Sequence, residues 1–261
     1  MPQFQILGTA AGTGVPSFFC QCKGCQEARD NLEYSRTRSG ALVRTGVRNI
    51  LIDASPDLRN QLVREGIAEL DWIFLTHWHY DHFGGLGELE FYVKLQHIDP
   101  LPLYLPPSAV QSFMAAYPHL KDVFDVLPWR FFARYHIDET IITPLPANHG
   151  IETAGFLIET GRNRLAYFPD TAGLPAASMK EIQGVDWLLC DATFNDDNWY
   201  PESHMSVEQA ISLSVQVKAR NTLLTHLSIH YSRAVTTKEL ESQLAEYPNL
   251  SLAKDGMLID L

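Results

Sequence analysis

The sequence predicts an α/β protein whose chemistry gathers along one rim of a sheet. Three observations carry that prediction. Short apolar runs recur along the 261 residues, and each ends abruptly in a polar or small residue. Amphipathic stretches with helix-start signals lie between them, which is the alternation of an α/β fold. Hydrophobic residues make up 46% of the chain, with no low-complexity segment, linker or internal repeat. Residues 1–261 are therefore read as a single domain.

Taken in order, Phe4 to Leu7 is a first strand leading into the glycine-bearing loop Gly8 to Gly14. That loop lacks the Gly-Lys-Ser/Thr ending of a triphosphate cradle. Asn49 to Ile52 is a strand stopped by Asp53, and Ser55-Pro56-Asp57 opens a helix over Ser55 to Glu65. Trp72 to Leu75 is a strand that runs into Thr76 and a histidine cluster. Leu101 to Pro107 is proline-rich and reads as edge strand or loop. Ser108 to Ala116 has helical periodicity. Leu165 to Phe168, Trp187 to Cys190 and Thr222 to Leu224 are strands ending at Pro169-Asp170-Thr171, Asp191 and Thr225-His226. Ser206 to Lys218 is a helix, with Ser206 as N-cap and Glu208 and Gln209 in its first turn. Polar residues at strand ends share one rim, where α/β proteins place their sites.

The formal net charge of -11 disfavours a protein that holds polymeric nucleic acid on a broad basic surface. A small phosphate is still allowed, because bound cations add positive charge that the residue count omits. No basic segment followed by a long apolar run opens the sequence, and no stretch approaches the roughly 20 apolar residues of a membrane span. The expectation is a cytoplasmic protein with no membrane partner.

His77-Trp78-His79-Tyr80-Asp81-His82 directly follows an apolar strand. Packing three imidazoles and a carboxylate into one loop gains nothing by itself, and partial protonation makes the rings repel. A divalent cation reverses that cost, since neutral imidazole and carboxylate are its natural ligands. His77 and His79 alternate onto one side of an extended segment, while Asp81 and His82 point towards a second ion. Further ligands must come from elsewhere, and the strand tips offer His149, Asp170 and His226.

Cys20, Cys22 and Cys25 form a second cluster, whereas Cys190 lies alone in an apolar run and reads as core. Three thiols at Cys-x-Cys-x-x-Cys spacing, in a chain without an export signal, suit a tetrahedral zinc with one ligand still to be supplied.

The His-x-His-x-Asp-His pattern, followed by Gly84-Gly85 and by distal ligands in matching order, resembles the metallo-β-lactamase superfamily over nearly the whole chain. The resemblance implies a four-layer αββα sandwich of two mixed sheets flanked by helices, with metals at one rim. It implies that His77, His79 and His149 hold one ion, that Asp81, His82 and His226 hold another, and that Asp170 bridges them. Flavo-diiron members carry glutamate where this chain has His79. The β-lactamases carry cysteine or serine where Asp170 stands. The bridging carboxylate fits the phosphodiesterase type.

The loop Leu7 to Pro16 followed by the cysteines is similar to the PhnP-like cyclic phosphodiesterases, and more distantly to PqqB. There the cysteines hold a structural zinc, whose fourth ligand is a histidine three residues after the last catalytic-site histidine. Position 229 is Ile here, so His230 takes that role if the loop carries one more residue. The resemblance further implies two active-site zinc or manganese ions and a homodimer.

Hydrolysis of a small, cyclic phosphodiester by a two-metal-activated hydroxide is the activity expected. His204, just before a helix, is the expected general acid, and Asp81 the ligand whose loss abolishes turnover. Asp53 is expected to brace the histidine loop, and Asp191 to support the site or line it. Two alternatives stand beside this reading. One is a tRNA 3′-processing endoribonuclease, for which no basic arm is visible. The other is a PqqB-like metal-binding accessory protein without catalysis.

Overall fold

The computed structural model describes residues 1–231 and 233–261. A first sheet is built from β1 (Gln3–Gly8), β2 (Gly40–Arg44), β3 (Asn49–Ile52), β4 (Trp72–Phe74), β5 (Leu101–Leu105) and β6 (Phe124–Pro128). A second is built from β7 (Tyr135–Ile137), β8 (Thr140–Pro146), β9 (Ala154–Glu159), β10 (Arg164–Phe168), β11 (Trp187–Asp191), β12 (Asn221–Thr225) and β13 (Leu250–Leu252). The last strand, β14 (Leu258–Asp260), returns to pair with β1, giving the orders β14-β1-β2-β3-β4-β5-β6 and β13-β12-β11-β10-β9-β8-β7. Both sheets are mixed. Pairing is antiparallel from β14 to β3 and from β7 to β10, and parallel from β3 to β6 and from β10 to β13.

The helices are α1 (Lys23–Asp30), α2 (Leu58–Arg64), α3 (Tyr80–Phe83), α4 (Leu89–Gln96), α5 (Val110–Ala116), α6 (Ala176–Glu181), α7 (Val207–Val217) and α8 (Thr237–Leu244). Side chains alternate across each strand, so each sheet feeds two apolar layers. Phe4, Ile6, Ile50, Phe74, Phe156, Tyr167 and Leu223 meet between the sheets. Leu42, Leu51, Ile73 and Leu103 face outwards with Leu58, Leu89 and Phe113 of the first helical layer. Ala166, Leu188, Cys190 and Leu224 face outwards with Ala210, Leu213 and Leu240 of the second. The result is the αββα sandwich that the sequence resemblance implied. Among the described residues, no helix is long and apolar enough to cross a membrane.

Two local expectations change. Leu101–Leu105 is neither loop nor edge: β5 lies inside the sheet, between β4 and β6. The Leu101 amide bonds to Val123 on the β6 side, so alternation turns the missing amide of Pro102 towards β4. Pairing with β4 begins only at Leu103 and Tyr104, and no ladder bond is lost. The helix expected from Ser55 begins at Leu58, because Ser55 to Leu58 closes a turn with the Leu58 amide on the Ser55 carbonyl. By contrast, α7 starts where Ser206 and Gln209 complete a reciprocal capping box.

Candidate metal centre

Strands β3, β4, β8, β10, β11 and β12 end at the same rim, and each delivers a polar side chain there. Two of these tips reverse sharply, with Asp53 and His226 at φ of 64° and 56°. A left-handed conformation at a non-glycine residue costs on the order of 1–3 kcal/mol and persists only where its surroundings enforce it. Around His226 they do: the Leu227 amide bonds to the Thr9 carbonyl and the Ala11 amide to the Leu227 carbonyl.

His77 and His79 leave β4 in extended chain, and His79 caps α3, which carries Asp81 and His82. His79 Nδ1 lies 2.9 Å from His77 Nε2 and 3.1 Å from His149 Nε2. These three and Asp170 form one group at ligand spacing, and Asp81, His82 and His226 form another. In the second group, Asp81 Oδ2 stands 3.6 Å from both His82 Nε2 and His226 Nε2. Asp170 Oδ2 reaches across, at 3.4 Å from His77 Nε2, 3.4 Å from His82 Nε2 and 3.6 Å from His226 Nε2.

The spacings of 3.4 to 3.6 Å around Asp81 and Asp170 are long for hydrogen bonds. They match ligand atoms that each stand about 2.0–2.2 Å from one tetrahedral ion. His82 Nε2 and His226 Nε2 are buried and have no hydrogen-bond partner among the described residues, a costly arrangement unless a cation accepts their lone pairs. The donor set therefore fits divalent metal.

The hydrogen bonds behind the rings fix which nitrogen carries the proton. His82 Nδ1 donates to Asp53 Oδ2 at 2.8 Å, and His149 Nδ1 donates to the Ser203 carbonyl at 2.9 Å. The Thr76 hydroxyl donates to Asp53 and accepts from His77 Nδ1 at 2.9 Å. The Thr193 hydroxyl donates to the His226 carbonyl and accepts from His226 Nδ1 at 2.8 Å. Each contact leaves an unprotonated Nε2 facing the site.

Burial dominates the titration of His77 and lowers it well below the ordinary imidazole range. Burial likewise lowers His79. Without a cation, burial alone would lower His82, but Asp53 and Asp81 raise it well above that range; a cation at Nε2 would displace the second proton and leave the one that Asp53 holds at Nδ1. Burial would raise Asp170, but His226 and the adjoining His204, His77 and His82 rings hold it well below the usual carboxylate range.

His204 is mostly buried at the same rim. Its Nδ1 lies 2.9 Å from Asp191 Oδ2 and 3.0 Å from Asp170 Oδ1. Burial opposes its charge, but the hydrogen bonds to these two carboxylates raise it to about 10. Asp191 also accepts from the Thr171, Thr193 and Met205 amides. Asp53, fully buried, braces the histidine loop as the sequence suggests, accepting also from the Thr76 amide at 2.8 Å.

Thr76, Thr193 and Gly12 carry parts of this arrangement that the sequence reading left without a role. A side chain at Gly12 would place its Cβ 3.0 Å from Asp81 Oδ2, so the N-terminal loop packs directly on that carboxylate. The available signal was position: Thr76 and Thr193 each lie within two residues of a strand tip already singled out.

Cys20, Cys25 and His230 form a further group at ligand spacing, with His230 Nδ1 3.6 Å from Cys25 Sγ. Cys22 lies outside that group and interacts with Cys20, whose thiol is lowered first by a hydrogen bond from the Cys22 backbone. Burial pushes the Cys25 thiol up to about 12. His230 Nε2 lies 2.9 Å from the Thr13 hydroxyl, which orients the ring. Ile229 is buried instead, against Gly24 of α1, so position 229 serves the core and 230 faces the thiols.

The chain is similar to several known proteins. Coenzyme PQQ synthesis protein B of Methylorubrum extorquens is 32% identical over 231 residues, which cover 74% of this chain and 73% of that protein. An octanoyltransferase of Porphyromonas gingivalis is 30% identical over 236 residues, covering 86% of this chain. This chain spans only 46% of that longer protein. A crystal structure of a diphosphatase from the PhnP family superposes with a TM-score of 0.87 at 25% identity, over 100% of this chain and 98% of that one. The Beta-lactamase superfamily domain matches residues 48–227, a span that holds every histidine and aspartate of the two rim groups. The chain belongs to the beta-lactamase superfamily.

Proposed function

We propose that the chain is a phosphodiesterase that hydrolyses a small, cyclic phosphodiester at a two-metal site. The observation that carries this reading is the position of Asp170: one carboxylate oxygen within 3.6 Å of histidines from both donor groups. A shared carboxylate between two ligand sets suits a pair of ions clamping one phosphate. The likeness to a PhnP-family diphosphatase supports a phosphate substrate.

His77, His79 and His149 would hold one divalent ion; Asp81, His82 and His226 would hold the second; Asp170 would touch both. Zinc or manganese suits these donors. When bound, such ions lower the pKa of water to about neutral and offset the charge that gathers on phosphoryl oxygens. The remaining work belongs to the chain. Asp53, Thr76, Thr193 and the Ser203 carbonyl keep each Nε2 unprotonated and aimed inwards. Asp191 holds the His204 proton at Nδ1 and fixes the ring plane. His204 Nε2 is then the atom that gives a proton to the departing alkoxide.

Cys20, Cys25 and His230 would hold a structural zinc, with Cys22, which stands beside Cys20, as the further thiol that would turn in to complete it. It would tie α1 to the 226–230 segment, and through Thr13 to the glycine loop that packs on Asp81. Protein loaded with zinc or manganese should hydrolyse bis(p-nitrophenyl) phosphate and a 2′,3′-cyclic nucleotide. Absence of turnover with every divalent metal tried would refute the reading. The second reading is a PqqB-like metal-binding accessory without catalysis; the 32% identity to Coenzyme PQQ synthesis protein B supports the likeness on which it rests. That reading requires bound metal and no turnover.

A further inference from the structure

We propose that Trp199 and Tyr200 form a stacking platform for a flat, uncharged ring on the leaving-group side of the substrate, such as a nucleobase. The inference rests on the phosphodiesterase reading for where the phosphate lies, and its test does not. The segment between β11 and α7 carries these two side chains outwards, with 63% and 46% of their surface exposed. Their rings lie 6.1 Å apart at 22°, and the Tyr200 ring centroid is 5.8 Å from that of His204. Beneath them, Phe194 meets Trp199 edge-on at 5.2 Å, and Tyr231 lies 5.6 Å from Trp199. The pair is thus supported from behind and open in front.

A purely structural pair would turn its faces into the core, because large aromatic rings contribute most when buried. The aromatic set beside the histidine loop does so: Trp78 stacks on Phe83 at 3.9 Å and 8°, with Tyr117 and Phe113 edge-on to Trp78. Trp199 and Tyr200 do not, although their segment is well tied. The Asn198 side-chain amide donates to the His204 carbonyl at 2.7 Å and accepts from the Tyr200 amide at 2.9 Å. The Ser203 carbonyl takes the His149 Nδ1 proton. The platform is therefore positioned by the same residues that position the general acid and one candidate ligand.

Charge narrows the occupant. Residues 195–206 carry Asp196, Asp197 and Glu202 and no lysine or arginine. These carboxylates repel a second phosphate, an effect that Lys23 and Arg233, which line a cavity with Asn195, offset in part; a neutral ring meets neither influence. Because His204 serves the departing oxygen, the ring belongs to the sugar that carries that oxygen.

The test compares two ligands that differ only in the base, adenosine 5′-monophosphate and ribose 5-phosphate. Both are titrated calorimetrically into metal-loaded protein. Stacking on aromatic side chains should make the nucleotide bind about 5- to 150-fold more tightly. That ratio should fall towards one in Trp199→Ala with Tyr200→Leu and largely survive in Trp199→Phe. Reading a ratio within each protein keeps the result interpretable if a variant weakens phosphate binding as a whole. A wild-type ratio near one, or a preference that survives Trp199→Ala with Tyr200→Leu, overturns the proposal. A base preference in a protein that cleaves no phosphodiester refutes the proposed activity and leaves the platform standing. Turnover with a ratio near one does the reverse.

Discussion

Replacing Asp53 by Asn tests how the site sets its metal affinity from behind the ligands. Asp53 is fully buried; its Oδ1 accepts from the Thr76 amide and its Oδ2 from His82 Nδ1, both at 2.8 Å. Asn has the same shape but only one acceptor oxygen. The backbone amide of Thr76 cannot reverse, so the carboxamide oxygen must take the Oδ1 position and the NH2 must face His82. His82 can then satisfy the contact only by accepting at Nδ1, which moves its proton to Nε2. That nitrogen faces Asp81 and Asp170 and would no longer offer a lone pair.

Loss of such an orienting partner typically weakens metal binding 10- to 100-fold, about 1.4–2.7 kcal/mol. The weakening should fall on the Asp81–His82–His226 group and spare His77, His79 and His149. Stepwise dialysis against a chelator, with metal content read at each step, should show one ion leaving the variant earlier than from the wild type. Circular dichroism checks that the fold is retained. Unchanged retention of both rim ions would refute the tautomer argument.

Other variants probe separate parts of the account. His204→Ala should keep its rim metals and lose about 10²- to 10⁴-fold in turnover of an alkyl phosphodiester; the loss should be much smaller with a nitrophenolate leaving group, which departs without a proton. Equal losses on both substrates would remove His204 from the acid role. Cys25→Ser should lose one zinc per chain and lower the thermal midpoint, at about 2–4 °C for each kcal/mol lost; an unchanged zinc content would refute the structural site. Gly85→Ala would set a Cβ 2.1 Å from the Ser55 carbonyl oxygen, a backbone atom that cannot swing aside. It should destabilise the fold by at least about 1–3 kcal/mol in urea melts, and a neutral effect would contradict the packing of the histidine loop on the Asp53–Ser55 turn.

The rim was legible in the sequence because parallel strands end together. Asp53, His77, Asp170, Asp191 and His226 each follow or end an apolar run, and that punctuation survives without any knowledge of pairing. The antiparallel half of the second sheet was not read in this way. Strands β7 and β8 carry exposed and half-buried positions between apolar ones, and their pairing depends on partners distant in sequence. Proline content argued against β5 as an interior strand. Only the register, with pairing to β4 starting after Pro102, shows why it is tolerated. Spacing put Ile229 where the resembling proteins have their ligand, and His230 took that role only on the assumption of one extra residue; which position faces α1 is a property of the fold. The Trp199–Tyr200 pair gave no signal, because exposure is a property of the folded loop.

Metal counting on freshly purified protein, paired with hydrolysis of bis(p-nitrophenyl) phosphate before and after chelation, tests the two-metal claim most directly. The account predicts about three ions per chain: two rim ions lost together with activity on chelation, the Asp81–His82–His226 ion lost with activity in Asp81→Ala, and one retained by the cysteine site. A single ion per chain, or turnover that persists after the rim metals are gone, would contradict it.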